Sequence, residues 1–303
     1  MRYHPCSWLH QMGLAAVIIP LSACATPGPA IHPVEPPLAS LKTAARSDAM
    51  LPTHRIIAFY GHPKSKGMGV LGRLPPQRML DSLDAMAALW HDADPSRAVV
   101  TALHMIVSVA QPDPGADGKY RNRQSDELIS QVAKWAAKGG HLLFLDIQVG
   151  RSNVAAELPR LAKWLEQPNV HLGLDPEFAM APGKVPGKSI GSMDAKEINV
   201  AVKYLAALVT RKKLPPKILV VHRFTDGMVT REEAITVDPR VQVVIHADGF
   251  GSPHLKTQVY ARVVRDQPVQ FAGIKMFLKL DRPMMSMSQV LALRPIPLYV
   301  QYQ

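Results

Sequence analysis

Eight short apolar runs recur after residue 54, and they constrain the fold more than any other feature of the chain. Each run is rich in Val, Ile, Leu and Phe, and a segment with helical periodicity separates it from the next. Strands that alternate with helices and are apolar on both faces form parallel sheets. Eight such units predict an α/β fold, a single closed (β/α)8 barrel or TIM barrel. An open, doubly wound sheet is the alternative.

The predicted elements belong to one domain, residues 54–303, and a single hydrophobic core can stabilise a domain of this length. The predicted strands cover residues 55–62, 98–110, 141–148, 170–177, 217–224, 241–248, 271–280 and 297–303. The predicted helices cover residues 76–91, 126–138, 153–166, 193–212, 230–235, 252–264 and 285–293.

The N-terminus has the pattern of a bacterial lipoprotein signal peptide. Arg2 precedes an apolar run over residues 12–21, which is too short to span a bilayer. The motif Leu-Ser-Ala-Cys, which ends at Cys24, places small residues directly before a cysteine. We therefore expect residues 1–23 to be a signal peptide and Cys24 to carry lipid. An ordinary signal peptide cleaved elsewhere and a buried helix are the alternatives.

Residues 24–53 are predicted to begin with the lipidated cysteine and to form a flexible tether rich in Pro and Ala. Six prolines stand in this segment with little periodicity, and proline-rich linkers are extended and semi-rigid. A structured extension that packs on the domain is the alternative, because Leu38, Leu41 and Met50 could be buried.

Lipid on Cys24 would anchor the protein to a membrane without spanning it. Ala25, rather than Asp, follows the cysteine, and by resemblance to known sorting behaviour this favours the outer membrane, facing the periplasm or the cell surface. Cys6 would leave with the signal peptide, so the folded domain has no thiol for a disulfide, a nucleophile or a metal.

Polar side chains stand at the C-terminal ends of nearly all predicted strands, where TIM barrels carry their chemistry. Residues two apart share a strand face, so Asp146 and Gln148 should point into the barrel together. His104 lies within the second strand, away from its end. A concave polar pocket is expected. Its predicted substrate-binding residues are Tyr60, His62, Gln148, His222, Arg223, His246, Lys275 and Gln301.

Asp175-Pro176-Glu177 is the most specific local signal. Two carboxylates about 7 Å apart on one strand face repel each other when both are ionised, so one pKa rises toward the range of a general acid. Glu177 is the predicted acid and Asp175 its electrostatic partner. Asp146 or Asp248 would act as base or nucleophile, as in glycosidases with two carboxylates.

This tripeptide and the barrel layout resemble those of chitinase-like glycoside hydrolases, whose fourth strand ends in Asp-x-Glu with Glu as the proton donor. Val170 and Gly173 stand where the family motif has two earlier aspartates, so substrate-assisted chemistry stays open. The chain also resembles bacterial lipoproteins that carry a secreted barrel. The resemblance implies an extracytoplasmic hydrolase of glycosidic bonds in an envelope or environmental polysaccharide.

A metal-dependent hydrolase of a phosphoester or other anionic substrate is the main alternative. The residues that could coordinate Zn²⁺ or a harder ion are His62, His222, His246, Asp175 and Asp248. Strand one has Tyr60-Gly61-His62 instead of the His-x-His of barrel metallohydrolases. The preferred interpretation therefore has no metal ligand and no cofactor. A barrel that binds glycans without catalysis is the third possibility.

The charge balance of the chain bears on its ligand. The formal net charge is +11, and the predicted loops on the catalytic face are basic, which indicates an anionic glycan or small substrate. A generally basic surface is the alternative, since Arg211, Lys212 and Lys213 lie on the opposite face. Nucleic acid is disfavoured, because an aromatic content of 6% leaves few platforms for stacking bases.

Overall fold

Eight parallel strands close into a barrel, which confirms the predicted TIM-barrel class. The structure is a computed structural model that describes residues 46–267 and 270–303. The predicted signal peptide, Cys24 and the tether up to residue 45 lie outside the described residues. The barrel strands are β1 His54–Gly61, β2 Ala98–Ala110, β3 Leu142–Ile147, β4 Val170–Leu174, β5 Lys217–Arg223, β6 Val241–Ala247, β7 Phe271–Met276 and β8 Tyr299–Tyr302.

Strand β1 closes the sheet by pairing with both β2 and β8. Ile56 lies opposite Val100 on one side and opposite Tyr299 on the other. Beyond the barrel, the end of β2 continues as a ribbon, where Ala110 pairs antiparallel with Arg121. Because the sheet is closed and parallel, all eight strands present their C-terminal ends at the same rim.

Helices connect most of the strands on the outside of the barrel. In the helix Asp126–Gly139, Ser125 caps the N-terminus by accepting a hydrogen bond from Leu128 N at 3.3 Å, and Gly140, with a φ of 69°, ends the helix. No helix in the described part of the chain is long and apolar enough to cross a membrane. The helices are α1 Pro76–Ala93, α2 Asp126–Gly139, α3 Val154–Glu157, α4 Ala162–Leu165, α5 Ala195–Lys212, α6 Pro253–Tyr260 and α7 Met287–Leu291.

Two connections differ from the sequence prediction. The helix predicted over residues 153–166 is divided by a 3₁₀ turn, Leu158–Leu161, whose proline has no N–H to donate. The helix predicted over residues 230–235 is wrong, because Glu232–Ala234 forms a single 3₁₀ turn. Arg231 has a φ of 55°, in the left-handed region. A right-handed α-helix cannot include a residue in this conformation.

The strands bury two faces, one against the helices and one inside the barrel. On the outer face, Ile57 and Leu103 belong to the large core that includes Leu83 and Trp90 of α1. The inner face starts with a smaller apolar cluster near the N-terminal ends of the strands, which includes Phe144. Alternate residues of each strand therefore face outward or inward. The outward residues are mostly apolar, whereas the inward residues can be apolar near one end of the barrel and polar near the other.

The N-terminal end of the barrel is closed by the chain that enters it. Leu51 is fully buried in the inner apolar cluster. Gln242 holds its backbone twice, since Oε1 accepts from Leu51 N at 3.1 Å and Nε2 donates to Leu51 O at 2.7 Å. The last residues of the predicted tether thus pack against the barrel, and the folded part begins before residue 54.

Candidate active site

Above the inner apolar cluster, the strands point a set of polar side chains into the barrel. We call this set the polar layer, and each member is at most 8% exposed. Most members sit two residues after an apolar inward residue, as His104 follows Ala102 and Asp146 follows Phe144. The polar layer consists of Tyr60, His104, Asp146, Gln148, Asp175, His222, His246, Asp248, Lys275 and Gln301.

Asp146 contacts three other members of the polar layer. Its Oδ2 accepts a hydrogen bond from Tyr60 Oη at 3.0 Å. Its Oδ1 lies 3.5 Å from His104 Nε2 and 3.7 Å from His222 Nε2. Burial acts to raise the pKa of Asp146, but the two histidines and Tyr60 outweigh it and lower the pKa below its ordinary value.

Asp248 is held by a cation and by an imidazole. Lys275 Nζ lies 3.1 Å from its Oδ1, and His222 Nδ1 lies 2.9 Å from its Oδ2. The same ammonium sits 4.0 Å above the centre of the Tyr60 ring. Burial works against the charge of Asp248, yet Lys275 and His222 lower its pKa below the ordinary value. His222 therefore lies between two carboxylates.

His104 and its neighbour Tyr299 were not assigned a role from the sequence. His104 Nδ1 lies 2.6 Å from Tyr299 Oη and 2.9 Å from Gln301 Nε2. Burial lowers the pKa of His104 to about 4, so its imidazole is neutral near pH 7. The sequence places His104 within the second strand but gives it no role, because it stands in the middle of a 13-residue strand. The two-residue alternation from Ala102 was the signal that could have found it.

The predicted carboxylate pair lies at two different depths. Strand β4 ends at Leu174, short of the predicted residue 177, because Asp175 leads into the 3₁₀ turn Pro176–Phe178. Asp175 is buried, accepts a hydrogen bond from Gln148 Nε2 at 3.2 Å, and has its pKa raised to about 8 by burial. Glu177 is half-buried on the turn, and burial together with the charge of Asp248 raises its pKa.

Two predicted substrate-binding residues do not join the polar layer. Arg223 alternates with His222 and is committed to the following loop, where its guanidinium donates to Thr225 O and Asp226 O. His62 accepts a hydrogen bond from Lys64 N at 3.2 Å, and no contact within residues 46–267 and 270–303 links its ring to the polar layer. Arg223 faces away from the polar layer because adjacent residues of a strand point to opposite faces. His62 lies outside it because β1 ends at Gly61.

Two grooves lie beside the loops, away from the polar layer. A groove of about 400 Å³ lies between loops at Met180, Lys184 and Asp194, and another of about 760 Å³ lies beside Glu127 and Lys163. Neither groove is lined by a member of the polar layer. The polar side chains pack against one another instead, with Glu177 on their more exposed side.

The basic loops are partly neutralised by the protein itself. Arg121 Nε and Arg123 Nε lie 3.0 and 2.8 Å from the carboxylate of Glu157, which is almost fully buried. Arg151 donates to the backbone oxygen of Lys184. These cations hold the ribbon and loops together, so the net charge overstates what remains for an anionic partner.

The fold defines the chain as a TIM-barrel protein with a buried polar interior, and the comparisons with known proteins add little. No family model and no curated protein matches the chain. The solved structures that it matches include one described as a "Family GH13_31 enzyme", at 12% identity and a TM-score of 0.24. The match covers 79% of this chain and 48% of that one, so the chain spans about half its length. A likeness at this level carries no argument about function.

Proposed function

We propose that the protein is a membrane-anchored, extracytoplasmic hydrolase that cleaves glycosidic bonds by carboxylate acid–base chemistry. The observation that carries this proposal is the pair Glu177 and Asp248 at the C-terminal end of the barrel. Asp248 has an ammonium 3.1 Å away, whereas Glu177 makes no ion pair with any described residue. Burial and the charge of Asp248 raise the pKa of Glu177 although Lys275 and His222 act against them, whereas the same two cations lower the pKa of Asp248. Opposite pKa shifts of two nearby carboxyl groups are what an acid and a base require.

Each carboxyl group then has a separate role. Glu177 is the more exposed and has a raised pKa, so it would protonate the leaving oxygen of the glycosidic bond. Asp248 would act as base or nucleophile. Asp146 fits that role less well, because it is fully buried and accepts the Tyr60 hydrogen bond. Asp175, with its pKa near 8, would remain a neutral partner of Glu177 near pH 7.

An aromatic surface beside the pair supports a sugar substrate. Phe250 is 61% exposed, and its ring packs edge to face on Phe277 at 5.8 Å. Lys275 Nζ lies 5.2 Å from the Phe277 ring, so this surface adjoins the cation that pairs with Asp248. Exposed aromatic rings offer apolar faces on which a pyranose ring can stack. The substrate would be an envelope or environmental polysaccharide, with anionic groups drawn by the basic loops.

The test is Glu177→Gln, which keeps the shape of the side chain and removes the transferable proton. Turnover of a polysaccharide should fall about 10²- to 10⁴-fold, because that is the usual contribution of general acid catalysis. The loss should be smaller on nitrophenyl glycosides, whose leaving groups need little protonation. Glu233→Gln, at an exposed glutamate outside the polar layer, is the matched control and should keep full activity. Unchanged turnover in Glu177→Gln on a substrate that the wild type cleaves would refute the proposal.

A further inference from the structure

Three buried atoms of the polar layer face one another without a hydrogen-bond partner among the described residues. They are His104 Nε2, Asp146 Oδ1 and His222 Nε2, and all three side chains are fully buried. The three atoms lie within 4.8 Å of one another. A buried polar atom without a partner is costly and rare in native proteins. Three that converge on one point indicate a group that binds between them.

The spacing of the three atoms suits a tetrahedral metal ion. Ligand atoms at the Zn–N and Zn–O distances of tetrahedral zinc lie about 3.3 Å from each other. Asp146 Oδ1 lies 3.5 Å from His104 Nε2 and 3.7 Å from His222 Nε2. Those distances are long for hydrogen bonds, so the atoms are close without being well bonded to each other.

The remaining polar atoms of the three side chains are held in place by other residues. His222 Nδ1 lies 2.9 Å from Asp248 Oδ2, and His104 Nδ1 lies 2.6 Å from Tyr299 Oη. Asp146 Oδ2 accepts the Tyr60 hydroxyl. A histidine that donates Nδ1–H to an acceptor, as His222 can to Asp248, keeps the lone pair of Nε2 free for a metal. His104 does the same when Tyr299 Oη accepts from its Nδ1, which also faces Gln301 Nε2 at 2.9 Å.

A glycine keeps the space beside these atoms free of side chains. Gly173 of β4 lies beside the three atoms. A Cβ at this position would face into the barrel, 2.4 Å from His104 Nε2 and 2.5 Å from Asp146 Oδ1. Any other residue would collide with both atoms. This glycine stands at one of the positions where the resembled family motif has an aspartate.

A second cluster, formed by His222, His246 and Asp248, is also compact but suits a metal less well. Its carboxylate already accepts from Lys275 and faces His222 Nδ1. A metal ion there would lie next to an ammonium and would displace existing contacts. In the first cluster no described residue makes a hydrogen bond to the three facing atoms, so a cation that binds them displaces no such bond.

We propose that His104, Asp146 and His222 form a Zn²⁺ site inside the barrel, with three protein ligands and one open position. The folded domain contains no cysteine, so the donor set is nitrogen and oxygen only. The site goes beyond the proposed function and does not depend on Glu177. It shares His222 with the contacts of Asp248, which places the metal next to the carboxylate pair.

The test measures metal directly and needs no activity assay. Purified full-length protein, stripped with a chelator, is titrated with Co²⁺, and mass spectrometry measures zinc after reloading. We expect about one metal per chain and cobalt d–d bands typical of tetrahedral coordination by N and O, without a thiolate charge-transfer band. Zinc should raise the melting temperature of the stripped protein by about 5 °C or more at saturating concentration. A stripped wild type that binds neither ion overturns the proposal.

Variants locate the site within the barrel. Asp146→Asn and His222→Gln should weaken metal binding at least tenfold. His171→Asn is the matched control, because His171 is a buried barrel histidine whose Nδ1 accepts Ile218 N instead of facing the cluster. His171→Asn and Glu177→Gln should both bind metal as the wild type does, so a failure of the proposed acid leaves this result unaffected. Equal metal binding by Asp146→Asn and the wild type would overturn the assignment, and a variant that fails to fold leaves the wild-type titration decisive.

Discussion

Asp175 and Asp248 carry the same side chain and are both buried, yet their neighbours give them opposite charge states. Asp248 has Lys275 and His222 within hydrogen-bond reach, which lowers its pKa despite burial. Among the described residues, the amide of Gln148 donates to Asp175, and burial together with the charges of the nearby carboxylates outweighs His222 and raises the pKa of Asp175 to about 8. The charge of a buried carboxyl group thus depends on which partner its strand position supplies.

This difference predicts how stability depends on pH. The folded pKa of Asp175 is about 8, above its ordinary value of 3.8, so the folded state binds more protons than the unfolded state between these values. The stability that this group contributes is complete below about pH 4 and is lost as pH rises toward 8. Asp175→Asn removes the titration, so its unfolding free energy relative to wild type should increase across this range, with a slope of at most about 1.4 kcal/mol per pH unit.

Urea denaturation from pH 4 to pH 8 measures that dependence. Asp92→Asn, at an exposed aspartate of α1 outside the polar layer, provides the control. Parallel pH profiles for Asp175→Asn and the wild type would contradict the assignment of a raised pKa.

At the scale of elements, a buried ion pair joins α6 to the loop that follows β7. Lys256 Nζ lies 3.1 Å from Asp281 Oδ2, and both side chains are at most 1% exposed. The ammonium also donates to Gly249 O at 2.8 Å, and the carboxylate accepts from Gly251 N and Phe277 N at 2.9 Å each. The pair therefore positions the loops beside Asp248 and the exposed aromatic surface.

Removing one partner of this pair should be strongly destabilising. Lys256→Met leaves Asp281 buried without its cation, and breaking a buried pair in this way typically costs about 3–5 kcal/mol. Lys163→Met is the matched control, because Lys163 makes an exposed pair with Asp126 at 2.6 Å. Exposed pairs contribute about 0–1 kcal/mol, so the control should unfold almost as the wild type does. Urea unfolding of the wild type and both variants measures the free energies of unfolding. Equal losses of stability in the two variants would contradict the expected extra cost of breaking the buried pair.

At the scale of the whole molecule, the proposed lipid anchor would hold the barrel at a membrane. Cys24, which is proposed to carry the lipid, lies outside the described residues, and so does most of the proposed tether. The described chain enters the barrel at the end closed by Leu51, whereas Glu177 follows β4 at the opposite rim. The described chain therefore reaches the barrel at the end away from the proposed catalytic pair.

The anchor is tested with Cys24→Ser in a bacterium that expresses the full chain. Labelling with a radioactive or clickable fatty acid should disappear, and the protein should leave the membrane fraction, because acylation is the proposed means of attachment. Cys6→Ser is the matched control and should leave labelling and fractionation unchanged, since Cys6 lies within the predicted signal peptide. Full labelling of Cys24→Ser would contradict lipidation at this residue.

The architecture was determined by the sequence to a large extent, because burial on two faces leaves a repeated pattern. The apolar runs predicted all eight barrel strands, and the periodic segments predicted α1, α2 and α5. Connections were harder to predict. A single proline or a left-handed residue such as Arg231 ends a helix locally, and such effects do not alter hydrophobic periodicity.

The site was determined by the sequence only in part. Strand ends and parity pointed to Asp146, His222 and Asp248, because a two-residue alternation survives in any strand. Which atoms meet was decided by the closed barrel, since β2, β3 and β5 lie far apart in the chain and converge only through tertiary structure. That convergence brings His104 from mid-strand to 3.5 Å from Asp146, beside the space left by Gly173. The contacts between side chains of the polar layer depend on packing across the barrel, which no local sequence pattern encodes.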